Sequence, residues 1–183
     1  MRSLLVFVPV LGAPILHAPV LALDVLPGLK RPLDFGASWR GRRIFGGNKT
    51  WRGALFMVAG VLIAALALWQ WPAYRHALPD DIENASPALI GVVIGLGVVL
   101  GELPNSFAKR RLDIGPGRRA SGLWGVALSV WDQADFVPLV ALLLLPIWQI
   151  PFEDLLLAIV VVGGVHFGIN LIGYAIGARK TLV

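Results

Sequence analysis

The sequence predicts an all-α integral membrane protein with about five transmembrane helices in a single domain spanning 1–183, its N-terminus outside and its C-terminus cytoplasmic. Three observations predict this fold class. Of the 183 residues, 57% are hydrophobic and 15% are charged, with a mean hydropathy of +0.75; a soluble domain of this length has no way to bury so much apolar surface. Five apolar stretches approach or reach the roughly 20 residues that a hydrocarbon core requires. The cations, finally, gather in alternate connections. There is no cysteine, which excludes disulfides and thiolate chemistry, and there is no internal repeat or low-complexity tract.

The first stretch, about 4–25, contains Pro9, Pro14 and Pro19, and a ring that removes a backbone donor at each position predicts a kinked or broken helix. Arg2 followed by a short apolar run also fits a cleaved signal peptide. Cleavage would leave the new N-terminus outside, yet the next residues form the most basic connection of the chain, so a membrane span is the better reading. The second stretch, 54–71, and the fourth, 131–150, are the clearest. Trp51, Trp69 and Trp71 bracket one and Trp131 and Trp148 the other, as aromatic anchors do at membrane interfaces. The third, 88–100, is short and completes a crossing only by continuing through Glu102 toward Ser106. The fifth runs over 155–178.

Charge orients the set. Lys30, Arg31, Arg40, Arg42, Arg43, Lys49 and Arg52 fill the first connection, Lys109, Arg110, Arg111, Arg118 and Arg119 the third, and Arg179 and Lys180 follow the last span. Fourteen of the 16 Lys and Arg thus lie on one side of a five-span chain. The connection over 72–87 holds Arg75 against Asp80, Asp81 and Glu83, and the turn at Glu153 and Asp154 holds no cation. The positive-inside rule makes the basic side cytoplasmic, in the plasma membrane of a bacterial or archaeal cell.

Both large basic connections therefore share one face. The first reads RPLDFGASWRGRRIFGGNKTWRG. Anchoring to anionic headgroups accounts for its cations but not for Gly41, Gly46 and Gly47, which let a backbone approach a ligand closely, nor for Lys49 and Thr50 at the mouth of a span. Backbone amides at a helix start with a nearby Lys form a common phosphate cradle, which also draws in Arg52. It is not a P-loop, because Asn48 precedes Lys49 and no βαβ pattern surrounds it. The third connection is more specific. On a helix continuing from the third span, Glu102, Asn105 or Ser106, and Lys109 share one face; alternatively Pro104 bends the chain and presents them in a cleft. Arg110 and Arg111 offer forked donors for phosphate oxygens, and Ile114-Gly115-Pro116-Gly117 reads as a turn.

Charges at the edge of a bilayer core are costly when poorly solvated, so carboxylates kept there point to use. Asp132 and Asp135 fall on one face of a helix start, where the dipole favours anions. N-capping accounts for Asp132 but not for Asp135 as well. Two carboxylates beside a basic, phosphate-sized site predict oxygen ligation of Mg²⁺, with Glu102 as the third carboxylate. His17, His76 and His166 are far apart in sequence and read as structural, with no zinc pattern.

These residues resemble a known family. IFGGNKTWRG, the Glu-x-x-x-Ser-x-x-Lys-Arg-Arg stretch from Glu102 and DQADF from Asp132 are similar, in order, to motifs of the CDP-archaeol synthase family, within the phosphatidate cytidylyltransferase superfamily; the similarity covers about 31–137. It implies transfer of CMP from CTP to a lipid phosphate with release of pyrophosphate and a need for Mg²⁺, in phospholipid biosynthesis. By position it implies that Lys49, Lys109 and Arg110 hold nucleotide phosphates and that Asp132 and Asp135 bind metal, with Asp132, Asp135 and Lys109 as the catalytic set. Thr50, Arg52, Asn105, Ser106 and Arg111 complete the expected substrate-binding set. Two positions depart from the family pattern: Glu102 stands where Asp is usual, and His17 lies near a usual Asn. They leave the lipid open, including a bacterial relative with another lipid.

No activated nucleophile is visible and none is required, since a lipid phosphate oxygen attacks the α-phosphorus in line while the protein aligns and neutralises two anions. A CDP-alcohol phosphotransferase would need a longer Asp-rich array on one helix, which is absent. A small multi-pass transporter or a lipid-binding scaffold would call for charges inside several spans or repeated broken helices; here the charges gather at one edge. The partners expected are CTP and a bilayer lipid phosphate, with no nucleic acid.

Overall fold

The structure, a computed structural model, describes residues 1–115 and 122–175. Expectations that rest on Pro116, Gly117, Arg118, Arg119, Arg179 and Lys180 lie outside the described residues. Helix α1 (Arg2–Leu5) passes through a 3-10 turn (Val8–Leu11) into α2 (Gly12–Ala22). Pro9 lies in that turn and Pro19 within α2, so the first apolar stretch is interrupted where the prolines predict. A two-stranded hairpin follows, β1 (Ser38–Trp39) pairing antiparallel with β2 (Arg42–Arg43). Its Arg40 and Gly41 have φ of 51° and 75°, the left-handed pair that a tight hairpin turn demands.

Helix α3 (Trp51–Trp69) starts at Thr50, whose hydroxyl accepts from the Gly53 amide at 3.1 Å, a standard N-cap. Short helices α4 (Pro72–Arg75) and α5 (Asp80–Glu83) close the connection to α6 (Pro87–Arg111), which runs 25 residues unbroken through Pro104. Of the two expectations for this segment, the continuous helix is the one that forms. At 1.5 Å per residue α6 is about 37 Å long, so it carries its polar end past the hydrocarbon. Helices α7 (Gly122–Ala134), α8 (Val137–Leu144) and α9 (Phe152–Ala175) complete the described chain.

Among the described residues, four stretches are long and apolar enough to cross a membrane: Arg2–Ala22, Trp51–Trp69, Pro87–Arg111 and Phe152–Ala175. The pass expected over 131–150 is built differently. It is split between the end of α7 and the eight-residue α8, because Pro138 lacks the N–H a continuous helix would use and instead sits in the first turn of a new one. Helix α8 packs on α6 at very short range. A Cβ on Gly101 would lie 2.4 Å from Phe136 Cα, and one on Gly97 2.9 Å from Val140 Cα, so only glycine permits this approach of two helices.

The core lies between α3, α6 and α8, where Val61, Ala65, Ile90, Ile94, Val98, Val137, Val140 and Leu144 are buried. Ile15, Ile63, Val160 and Ile172 stay exposed on the outer faces, the distribution expected of helices whose solvent is lipid. One end of the bundle collects the N-terminus, α4, α5 and the start of α9. The other collects the hairpin, the start of α3, the end of α6 and the α7–α8 break.

Candidate functional site

Residues from three separated sequence motifs meet at the second end. The chain on either side of the hairpin is first drawn together. The Leu33 amide donates to Lys49 O at 2.8 Å and the Trp51 amide to Arg31 O at 3.0 Å, with Pro32 bridged to Thr50. Lys49 is thereby delivered to the mouth of α3, where it pairs with the Glu102 carboxylate of α6. Burial works against the Lys49 charge, but Glu102, Asp132 and Asp135 outweigh it and hold the ammonium above its ordinary range. The expectation that the two basic connections converge is met by this contact.

One face of α6 supplies the centre. Glu102, Asn105 and Lys109 succeed one another at helical spacing, as the sequence predicts. Asn105, almost fully buried, donates from Nδ2 to Asp132 Oδ1 at 2.8 Å and to Asp135 Oδ2 at 3.3 Å. Lys109 Nζ reaches the same Asp132 oxygen at 2.7 Å. Asp132 is half exposed, whereas Asp135 is buried. The second acid is held there because its own backbone, continuing into Phe136, rests on Gly101.

Two oxygen atoms at this centre, Asp135 Oδ1 and Asn105 Oδ1, are buried with no hydrogen-bond partner. A buried acceptor left unpaired costs about 1–3 kcal/mol. Both are hard oxygen donors, and a small divalent cation would satisfy them, which is the chemistry the sequence predicts for Mg²⁺. Glu102 is engaged by Lys49, and among the described residues no group of three or more His, Cys, Asp or Glu side chains is arranged to hold a metal ion. The carboxylates that fit one are those of Asp132 and Asp135, joined through the amide of Asn105, a residue that the sequence assigns to substrate.

The remaining expected substrate-binding residues surround the centre with their donors directed elsewhere. Arg52 is buried and donates to Asp24 Oδ1 at 2.6 Å and to Val25 O at 3.0 Å, tying α3 to the end of α2. Arg110, also buried, donates to Phe45 O at 3.1 Å and to Ile114 O. Arg111 donates to the carbonyls of Trp39, Arg42 and Arg43 and lies over the rings of Trp39 and Phe107. The Thr50 hydroxyl is the cap of α3, and Ser106 is buried beside Asn105. Three arginines thus fasten the hairpin and α2 to the helices that carry Lys49 and Lys109.

His17 had read as structural. Its Nε2 is buried without a partner against Gly53, 3.4 Å from where a Cβ there would stand, on the first turn of α3. On the far side of the centre, His166 Nδ1 lies 3.1 Å from Gln133 O and Asn170 donates to Gln133 Oε1 at 3.1 Å, so α9 steadies the residue next to Asp132. Neither contact has a sequence pattern, because one partner in each is fixed only by packing.

The chain is similar to known proteins over most of its length. Residues 5–182 match the family model described as CarS-like, CDP-archaeol synthase. A CDP-archaeol synthase of Pyrococcus furiosus is 37% identical over 155 residues, covering 82% of each chain. One of Halobacterium salinarum is 37% identical over 163 residues, covering 85% of this chain and 84% of the relative. A solved intramembrane enzyme of archaeal membrane-lipid biosynthesis superposes with a TM-score of 0.64 at 26% identity, covering 91% of each chain. With its motifs, its helices and its full length in agreement, this chain belongs to the CDP-archaeol synthase family.

Proposed function

We propose that CTP and a membrane lipid phosphate meet over Asn105, with Lys49 and Lys109 on the nucleotide phosphates and Asp132 and Asp135 holding Mg²⁺. The overall reaction comes with the family: CTP-dependent transfer of a cytidylyl group to a lipid phosphate, for membrane lipid biosynthesis. One observation carries the placement. Two lysines from two separate connections are each paired with a carboxylate around a single buried Asn, beside two buried oxygens that lack a partner.

The step balances without an enzyme-bound intermediate. A lipid phosphate oxygen forms a bond to the α-phosphorus of CTP while the bond to the bridging oxygen of the β-phosphate breaks, and pyrophosphate leaves. Bound Mg²⁺ would supply charge neutralisation at phosphate oxygens. Asn105 orients both aspartates through its single amide, and Glu102 is the candidate further carboxylate, paired here with Lys49. Lys49 and Lys109 provide point charges that follow the phosphates. Arg52, Arg110 and Arg111 hold the walls of the cradle. Thr50 sets the start of α3, and Ser106 lies against the substrate side of Asn105. Holding both anions in line lowers the entropic part of the barrier.

The basic end of the bundle is the cytoplasmic one in this reading, since Arg31, Arg40, Arg42, Arg43, Lys49, Arg52, Lys109, Arg110 and Arg111 all lie there. CTP reaches it from the cytoplasm, and the lipid tail reaches it sideways from the bilayer. The curated relatives are named for CDP-archaeol, which makes an archaeol-type lipid phosphate the first acceptor to try. Purified protein given labelled CTP, Mg²⁺ and a panel of ether and ester lipid phosphates should form a CDP-lipid and pyrophosphate in equal amounts. Absence of product with every acceptor would refute the reading.

A further inference from the structure

The acid with the most hydrogen-bond donors on it is not one of the expected metal ligands. Asp34 lies in the basic connection, with a fully buried side chain. Its Oδ1 accepts from the Gly36 amide at 3.0 Å and from Arg43 at 2.5 Å. Its Oδ2 accepts from the Phe45 amide at 3.0 Å and the Gly46 amide at 3.2 Å. Burial alone would raise its pKa, but Arg43 and the three amides hold it at about 2, so it is an anion under all ordinary conditions.

The location of those donors matters more than their number. Asp34 follows the strand-like pairing of 31–33 with 49–51, and it reaches across the base of the hairpin to the glycine-rich run that leads into Lys49. Gly46 has φ 98°, a conformation open to glycine and strained for other residues. The Phe45–Gly46 peptide group is gripped from both sides, since Gly46 N–H donates to Asp34 and Phe45 O accepts from Arg110 of α6. A carboxylate on one side and a guanidinium on the other therefore fix the loop between the helix that carries Lys109 and the residue that carries the phosphate-binding charge.

We propose that Asp34 is a positioning residue for the nucleotide: by clamping the loop amides at Phe45 and Gly46 it presents Lys49 and the glycine-rich backbone to the CTP phosphates in a single conformation. The inference rests on the assignment of Lys49 to CTP. It predicts a selective defect, because loosening the loop raises the ordering cost of binding CTP without moving Asp132 at the end of α7 or Asp135 in the break that follows.

The test measures CTP binding at equilibrium in detergent together with steady-state kinetics, for wild type, Asp34→Asn, Gly46→Ala and Lys49→Ala. Asp34→Asn keeps the shape and removes the charge. It should raise the Kd and KM for CTP about tenfold, with kcat within about threefold and the KM for lipid phosphate unchanged. Gly46→Ala strains the same loop without altering charge and should shift KM for CTP in the same direction. If Asp34→Asn is folded and leaves CTP binding unchanged while Lys49→Ala weakens it, the inference fails and the CTP assignment stands. If Lys49→Ala also leaves CTP binding unchanged, the assignment itself fails. A loss of kcat or of thermal stability with no change in KM for CTP would make Asp34 a structural residue only and overturn the proposal. Should Asp34→Asn not fold, Gly46→Ala decides by the same criterion.

Discussion

The bundle has two charged ends, and they use their charges in opposite ways. At the end formed by the N-terminus, α4 and α5, Arg2 donates to the carbonyls of His76, Ala77 and Leu78 and to Asp80, Ser3 donates to Asp154, and the Tyr74 hydroxyl donates to Leu5 O at 2.8 Å. Each contact closes one chain connection onto another. Among the described residues the buried polar atom without a partner at this end is Trp69 Nε1; the carboxylates of Asp80, Glu83 and Asp154 are engaged. At the opposite end Asp135 Oδ1 and Asn105 Oδ1 are buried and unmatched. Charge alone therefore does not distinguish a fastening from a working site. Among the described residues, a buried carboxylate oxygen without a partner is found at the second end and not at the first, and such an anion oxygen is what folding would otherwise pair.

Substitutions at the two ends should separate stability from turnover. The largest effect is expected for Asp135→Asn and Asp132→Asn, which preserve size but remove the charge a cation needs. Mg²⁺-dependent turnover should fall about a hundredfold or more, with thermal stability kept or improved for Asp135 because a buried charge is removed. Full turnover at low Mg²⁺ in both variants would place the metal elsewhere. Lys109→Ala comes next. It removes one of two lysines and should weaken CTP binding about 10- to 30-fold, as expected for a hydrogen bond to a charged group, measured by equilibrium titration; an unchanged Kd would return Lys109 to a purely structural pairing with Asp132.

Arg2→Met tests the contrast from the other side. It should lower stability by about 1–3 kcal/mol through lost bonds to carbonyls, read as a drop in Tm, while kcat and both KM values stay at wild-type levels. A turnover defect there would break the distinction between the ends. The smallest effect concerns acid. The folded-state pKa of Asp34 is depressed from 3.8 to about 2, so its contribution is fully present above the ordinary carboxylate range and is lost as pH falls through about 2. Fluorescence of Trp39 on the hairpin should hold steady on acidification through the ordinary carboxylate range, about pH 4, and change only as the pH approaches about 2. An earlier change, near the pKa of a free carboxylate, would mean that the amides do not grip Asp34.

The α6 face was legible from spacing, since a helix long enough to cross must continue through Glu102, and periodicity then aligns Asn105 and Lys109. Asp132 and Asp135 were expected together on the face of a helix start; instead Asp132 lies in the last turn of α7 and Asp135 in the break before α8, so the break and the Asn105 amide, not helix periodicity, bring them together. The split of the pass over 131–150 was not, because hydropathy averages over a break that depends on where Phe136 rests against Gly101. Arginines were legible as positive charge but not as fasteners. Arg110 and Arg111 bond to backbone carbonyls, which every residue carries and which leave no trace in a sequence. Asp34 was missed on the same ground, with amides for partners. Glu102 was expected among the metal ligands, and the ion pair with Lys49 depends on a contact between residues 53 positions apart in the chain.

The contact at Gly101 bears on how such an enzyme can change over time. Asp135 is located by backbone resting on backbone, a surface with no side chain to exchange, while the flanks that meet the bilayer are made of interchangeable apolar residues such as Ile15 and Val160. Drift in those flanks changes the apolar surface offered to the bilayer without touching the backbone contact that locates the acid. At position 101, by contrast, the smallest possible step, one methyl group, already collides with Phe136. Tolerance to substitution is thus divided by depth, with exchangeable apolar residues on the outside and a fixed backbone contact within.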